Sequence, residues 1–283
     1  MRIVVILACY NEERFLRQCL EHYREHGVEV YLLDNGSTDA TRAIAEEFTE
    51  NPVIGIEALP RGGSFDLSAQ LRRKEQIAET LKADWVMHAD PDEVRLPPAG
   101  FSTLASAVQH VDSLGYNAIN FQEYTFIPVR EAPDHEHPRF RETMRWYYPF
   151  SPRHPHRLNL WKQQRNPLVR AVSVLRRTYR ARAWPPLPAY DLSSSGGHVV
   201  RFAGIKPYPY DFIMKHYLVL SLDHAKAKYV DKTFSPAERN WHGWRATAEE
   251  TDFVLPSAKE LNEVGPDGAV EAIQARSTHF LEW

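Results

Sequence analysis

The chain has 283 residues, 43% hydrophobic and 12% aromatic, enough for one large α/β domain or two modest ones with a proper core. Its formal charge of −3 hides an asymmetry: residues 130–182 hold 13 Lys and Arg against 4 Asp and Glu, a local +9 that leaves −12 elsewhere. Two cysteines, Cys9 and Cys19, exclude a disulfide framework. No apolar run approaches the roughly 18 residues of a membrane helix, and M-R-I-V-V-I-L-A-C-Y-N-E-E is too short and too soon acidic for a signal peptide. The expectation is a protein of the reducing cytoplasm.

Ile3 to Ala8 is a continuous apolar, β-branched run, the pattern of a strand buried on both faces, and Phe15, Leu16, Cys19, Leu20 and Tyr23 then recur on one helical stripe. Val28 to Leu33 predicts a second strand. It ends in D-N-G-S-T-D-A-T, where Asn-Gly supplies a turn and Ser37 or Thr38 is expected to cap a helix carrying Ile44, Ala45 and Phe48. Val53 to Ile56 predicts a third strand, Leu67 to Leu81 a third helix and Trp85 to His88 a fourth strand, followed by a helix over 99–114 and a strand over 118–125.

This alternation predicts a parallel sheet, and ligands of such sheets bind beyond the carboxyl ends of the strands. Tyr10 to Glu12, Asp34 to Asp39 and Asp90 to Glu93 all fall there. Residues 128–188, dense in Pro, Arg, His and aromatics, are expected to be an irregular insertion or short helices. G-G-H-V-V-R-F and D-F-I-M-K-H-Y are expected to be strands, followed by a helix over 221–230.

Two aspartates one residue apart on a strand-end turn, as in D-P-D-E-V, can aim both carboxylates at one divalent cation. The same triplet also suits an acidic helix start. Glu123, Asp191 and Glu93 are the candidate general bases, and His198 and His216, beside late strands, are candidate additions to a metal shell. The basic, aromatic stretch 130–182 suits an acceptor, a membrane surface at the inner leaflet, or a solvated extension. No nucleic-acid reading motif is present, and no nucleic acid is expected.

In order and spacing, A-C-Y-N-E-E, D-N-G-S-T-D-A-T, a basic helix face and D-x-D-E after the fourth strand resemble the family 2 glycosyltransferases of the GT-A fold, over about residues 1–125. The resemblance implies a GT-A-like, mostly parallel α/β sheet flanked by helices. It implies a nucleotide-sugar half over 1–125 and an acceptor half over 126–283, continuous in one domain, with the basic insertion over 128–190. Tyr10, Asn11, Glu12, Asp34, Asn35, Gly36, Lys74 and Asp90 would then hold the nucleotide sugar, with Arg72 and Arg73 as alternatives to Lys74. Asp90 and Asp92, joined by His216 or His198, would hold Mn2+ or Mg2+. The family's small residues leading to Arg-Asn are replaced here by R-G-G-S-F-D-L-S-A-Q-L-R-R-K-E-Q, where Gly62 and Gly63 could allow a ligand close. The implied reaction moves sugar from a uridine diphosphate sugar to a saccharide, lipid-linked or small acceptor with inversion. The alternatives are a non-catalytic carbohydrate-binding relative and a sugar nucleotidyltransferase. The latter should carry a Gly-rich turn where this chain has Y-N-E-E.

Overall fold

The computed structural model describes residues 1–63, 65–184, 186–230, 249 and 253–278. Strand β1 (Ile3–Cys9) lies between β2 (Glu29–Asp34) and β4 (Trp85–Ala89), parallel to both, and β3 (Val53–Ala58) extends the parallel set beyond β2. A strand with neighbours on both sides and helices on both faces has no polar face, which is why Ile3 to Leu7 reads as unbroken hydrophobics. Helix α1 (Glu13–Glu25) buries its predicted stripe from Phe15 to Tyr23 against one face, with α4 (Leu104–Ser113) beside it. Helix α3 (Leu67–Thr80) covers the other through Leu71, Ile77 and Ala78. Each such side chain contributes about 1.5–3 kcal/mol of burial.

Helix α2 (Thr41–Glu47) begins without the expected Ser37 or Thr38 cap. Asp39 Oδ1 accepts from Thr41 N–H at 2.9 Å, and the Ser37 hydroxyl and the Thr38 amide are engaged with Asn11 instead. Helix α4 starts later than residue 99, because Thr103 caps it in a reciprocal arrangement with Ser106.

The second half of the chain completes the same sheet. Strand β5 (Glu93–Leu96), not expected from sequence, pairs antiparallel with β9 (Phe212–Tyr217), which runs parallel to β6 (Ala118–Phe126). The region expected to be irregular contains α5 (Phe140–Thr143), β7 (Trp146–Phe150), β8 (Leu158–Lys162) and α6 (Pro167–Ala181). Strand β8 sits between β4 and β6, antiparallel to both, and β7 pairs with β6. The segment 128–188 is therefore structural, with two of its strands inside the main sheet. Conversely, G-G-H-V-V-R-F is not a strand. Gly196 and Gly197 have φ of 65° and 88°, and the segment makes only the isolated bridges Leu158–Val199 and Asp191–Arg201.

Helix α7 (Leu222–Tyr229), capped by Ser221, follows β9, and β10 (Asn262–Glu263) borders β7. The result is an α/β fold whose mixed sheet keeps an all-parallel half, flanked by helices. Residues 231–248, 250–252 and 279–283 of the expected acceptor half lie outside the described residues. No helix among the described residues is long and apolar enough to cross a membrane.

Candidate active site

Because β1, β2 and β4 are parallel and in register, with Cys9 opposite Asp34 and Leu7 opposite Ala89, their carboxyl ends form one ledge. Asn11 takes a positive φ of 55° and binds the turn after β2: its N–H donates to Ser37 Oγ at 3.1 Å, and its Oδ1 accepts from Thr38 N–H at 2.8 Å. Glu12 N–H donates to Thr41 Oγ1 at 2.7 Å, and Asp34 Oδ1 accepts from Ser37 N–H at 2.9 Å. Gly36, at φ 78°, completes a turn that an L side chain would strain.

Two contributors here carried no sequence signal. Arg61 stacks its guanidinium 3.4 Å from the centre of the Tyr10 ring, and Gln70 on α3 donates to Asn35 Oδ1 at 2.8 Å. Asn35 in turn donates to Leu59 O at 3.0 Å, which ties both ends of its amide to the wall. Gly62 and Gly63 adopt φ of 60° and 80°, and a Cβ on either would meet no described atom within 4 Å. They supply the turn rather than a close approach.

Asp90 is the open acid of the ledge, with its side chain 55% exposed. Its nearest cation is Lys74 Nζ at 3.8 Å, and Lys74 is itself only 1% exposed. The ammonium lies 2.9 Å from His88 Nδ1 and donates to Ala89 O at 3.2 Å; burial lowers its pKa while Asp90 opposes that shift. Arg73 is bound to Glu57 at 2.6 and 2.8 Å, and Arg72 is exposed and makes no contact with the acids. Of the three basic candidates on α3, Lys74 is therefore the one brought to the acids.

Asp92 and Glu93 turn inward. Asp92 Oδ2 accepts from Lys228 Nζ at 2.7 Å and lies 3.5 Å from His216 Nε2; burial favours the neutral acid, but those two cations hold it ionised far below the usual carboxylate range. Glu93 Oε2 accepts from Arg95 Nη2 at 2.5 Å and from the Asp90 N–H at 3.1 Å. Arg95, fully buried, also donates to Asn159 Oδ1 and stacks on Phe121. Strand β5 thus carries a buried ion pair between alternate residues, with Glu93 opposite His216 in the β5–β9 register.

Glu123 is fully buried. Its Oε2 accepts from Arg157 Nε at 2.8 Å, and its Oε1 lies 2.7 Å from His216 Nδ1 and accepts from Thr125 Oγ1 at 3.0 Å. Burial opposes ionisation, but Arg157, His156 and His216 outweigh it and keep the carboxylate charged. A general base must meet the hydroxyl it deprotonates. Both Glu123 oxygens are engaged by Arg157, His216 and Thr125, and Glu93 Oε2 by Arg95 and the Asp90 N–H. Asp191 sits apart, accepting from Ser194 N–H at 3.0 Å and lying 3.5 Å from Arg177.

His216 is lodged between Asp92 and Glu123, and although burial disfavours charge, the two carboxylates push its pKa up to about 10. A metal at His216 would have to displace that proton and compete with Asp92 and Glu123 for the ring. His198 is half-buried, its ring 5.2 Å from that of His156. Among the described residues no group of three His, Cys, Asp or Glu is arranged to hold a metal ion. Asp90, Asp92, Glu93 and Glu123 interlock with Lys74, Lys228, Arg95, Arg157 and His216 beneath the ledge.

Residues 4–99, the segment that builds the parallel strands and the ledge, match the family model described as Glycosyl transferase family 2. A putative glycosyltransferase of Bacillus subtilis (strain 168), EpsH, is 32% identical over 110 residues, 36% of this chain. The chain spans 31% of that relative's length. Among solved structures, S. aureus TarS aligns with 89% of this chain and 43% of its own at 12% identity and a TM-score of 0.43. Residues 1–349 of TarS in complex with UDP align with 89% of this chain and 73% of their own, at 11% identity and a TM-score of 0.41. Glucosyl-3-phosphoglycerate synthase from Mycobacterium tuberculosis, in complex with Mn2+, UDP and phosphoglyceric acid, aligns over 43% of each chain at 19% identity and a TM-score of 0.29.

Proposed function

We propose that the chain transfers a sugar from a uridine diphosphate sugar to a saccharide, lipid-linked or small acceptor, with inversion at C1, on the cytoplasmic side of a membrane. The observation that carries this is the open carboxylate of Asp90 beside the buried ammonium of Lys74, at the strand ends of the segment that matches the family. Buried thiols at Cys9 and Cys19, neither in a disulfide, suit a reducing compartment.

Tyr10, Arg61 and the locked turn from Asp34 to Ser37 form a rigid wall for the nucleoside, and Lys74 stands behind the diphosphate. A divalent cation fits as a guest of Asp90: Mg2+ and Mn2+ take oxygen ligands, and Mg2+ is commonly held by one or two carboxylates with substrate phosphates and water. Asp92 would join only by loosening Lys228. When bound, the cation would neutralise charge on the departing diphosphate. In the displacement, the acceptor hydroxyl gives its proton to a carboxylate base or to water as its oxygen forms the bond to C1 and the bond from C1 to the phosphate oxygen breaks, the electron pair leaving with the diphosphate. Glu93 and Glu123 stay ionised and paired, holding β5, β6 and β9 in register beneath that event.

Calorimetric titration of nucleoside diphosphates with and without Mn2+ tests the reading. Tighter binding of UDP than of other bases, strengthened by Mn2+ in the wild type but not in Asp90→Asn, supports it. Equal binding of every base, or an unchanged Mn2+ effect in the variant, overturns it.

A further inference from the structure

We propose that α6, together with the arginine-lined cavity beside it, docks the protein on an anionic membrane surface. This localises a membrane contact to one element and does not depend on the donor chemistry.

Helix α6 reads P-L-V-R-A-V-S-V-L-R-R-T-Y-R-A, and Leu168, Val172, Leu175 and Tyr179 recur at spacings that place them on one face. In an ordinary surface helix that face is turned to the core. Here it is turned to solvent: Leu168 is 76% exposed, Leu175 68% and Tyr179 86%, and Trp184, just past the helix end, is 89% exposed. The helix is attached by its polar side. Ser173 accepts from Ala203 N–H at 2.9 Å, and Arg177 donates to Glu75 Oε2 at 2.7 Å and to Pro188 O at 3.1 Å.

The charge beside the stripe indicates what covers it. A cavity of about 770 Å³ opens along α6, lined by Arg72, Arg176, Arg177, Arg180 and Arg201 with Asp191 as the acid among them. Arg177 is paired with Glu75 and Asp191, whereas Arg72, Arg176 and Arg180 form no ion pair among the described residues. A protein partner with an apolar groove would match the stripe but would leave these guanidinium groups unanswered. A bilayer with anionic headgroups matches both, taking the Leu, Tyr and Trp side chains at the acyl boundary and presenting phosphates to the arginines. The 15-residue helix is about 22 Å long, so it lies on the surface rather than spanning it.

Flotation of the full chain with vesicles of phosphatidylcholine alone, or with one-third phosphatidylglycerol, tests this. Two double variants alter exposed positions only: Leu175→Glu with Tyr179→Glu, and Arg176→Glu with Arg180→Glu. Melting curves and UDP titration of each confirm the fold and the untouched ledge. The wild type should float with anionic vesicles, less so at high salt and with neutral ones. Each basic residue at such a surface is worth about fivefold in affinity, so the arginine pair should lose roughly 25-fold or more. Flotation of either variant equal to the wild type overturns the proposal. So does binding that ignores lipid charge and salt. A dimer by light scattering that the leucine–tyrosine variant dissolves, without vesicle binding, would assign the stripe to a second copy. Stabilisation by inorganic phosphate without flotation would make the cavity a soluble-anion site; both results overturn membrane docking.

Discussion

Replacing Glu123 separates a structural carboxylate from a catalytic one. The side chain is fully buried, and its removal leaves Arg157 and the His216 imidazolium facing each other with 9% and 11% side-chain exposure. Breaking a buried ionic group by deleting one partner costs about 3–5 kcal/mol, because the surviving charges stay desolvated. For a chain of this size each kcal/mol moves the melting temperature by about 2–4 °C, so Glu123→Ala should melt roughly 6–20 °C lower. Glu123→Gln, which keeps the shape and can still accept from Thr125, should fall between. Differential scanning calorimetry checks this, with transfer measured well below the variants' melting points. A Glu123→Gln protein that melts within about 2 °C of the wild type yet has lost turnover at saturating donor would refute the buried-counter-ion assignment and restore Glu123 as the base.

Lys74→Met removes the ammonium beside Asp90 while keeping the apolar stem. Charge-assisted hydrogen bonds are worth about 1.5–3 kcal/mol, so UDP affinity by calorimetry should fall roughly 10- to 100-fold with the fold intact. Gly197→Ala places a Cβ 2.5 Å from His88 Nε2 at a φ of 88°. It should cost about 1–3 kcal/mol in urea unfolding and weaken UDP through the displaced His88–Lys74 contact. His224 is buried, with a pKa lowered to about 3 from 6.5 chiefly by burial, next by Lys228, and its Nδ1 accepts from Leu220 N–H. The unfolded chain therefore takes up this proton first as pH falls below 6.5, and stability drops until the folded pKa near 3 is passed. Between pH 7 and pH 5 this one group should remove about 2 kcal/mol, so the stability gap between the wild type and His224→Gln should narrow by that amount over the same range.

The parallel half of the sheet was legible because its strands are unbroken hydrophobic runs and its helices carry clean stripes. Strands β5, β7 and β8 were not. Glu93 and Arg95 read as surface charges in a four-residue segment, yet both are buried because each answers the other. Pro149 interrupts W-Y-Y-P-F, and Arg157 at the entrance to β8 looks solvated until Glu123, 34 residues away in sequence, is placed beside it. The same limit applied to the site. Asp90 follows from an acid at a strand end, a local signal, whereas Lys74 follows only from the family resemblance, with Arg72 and Arg73 as alternatives. Lys228 reaches Asp92 across 136 positions, and Arg61 reaches Tyr10 only through tertiary packing, so neither contact has a local pattern. His216 was singled out, but its contacts with Asp92 in the turn before β5 and with Glu123 on β6 have no local pattern.

The most direct measurement is release of nucleoside diphosphate from a panel of nucleotide sugars by the full chain, with Mn2+ or Mg2+ and a mixture of saccharide and lipid-linked acceptors present. Expected is acceptor-dependent release of UDP, abolished in Asp90→Asn at an unchanged melting temperature. A folded wild-type protein that binds UDP but releases no diphosphate from any donor would contradict glycosyl transfer, as would an Asp90→Asn variant that turns over as fast as the wild type.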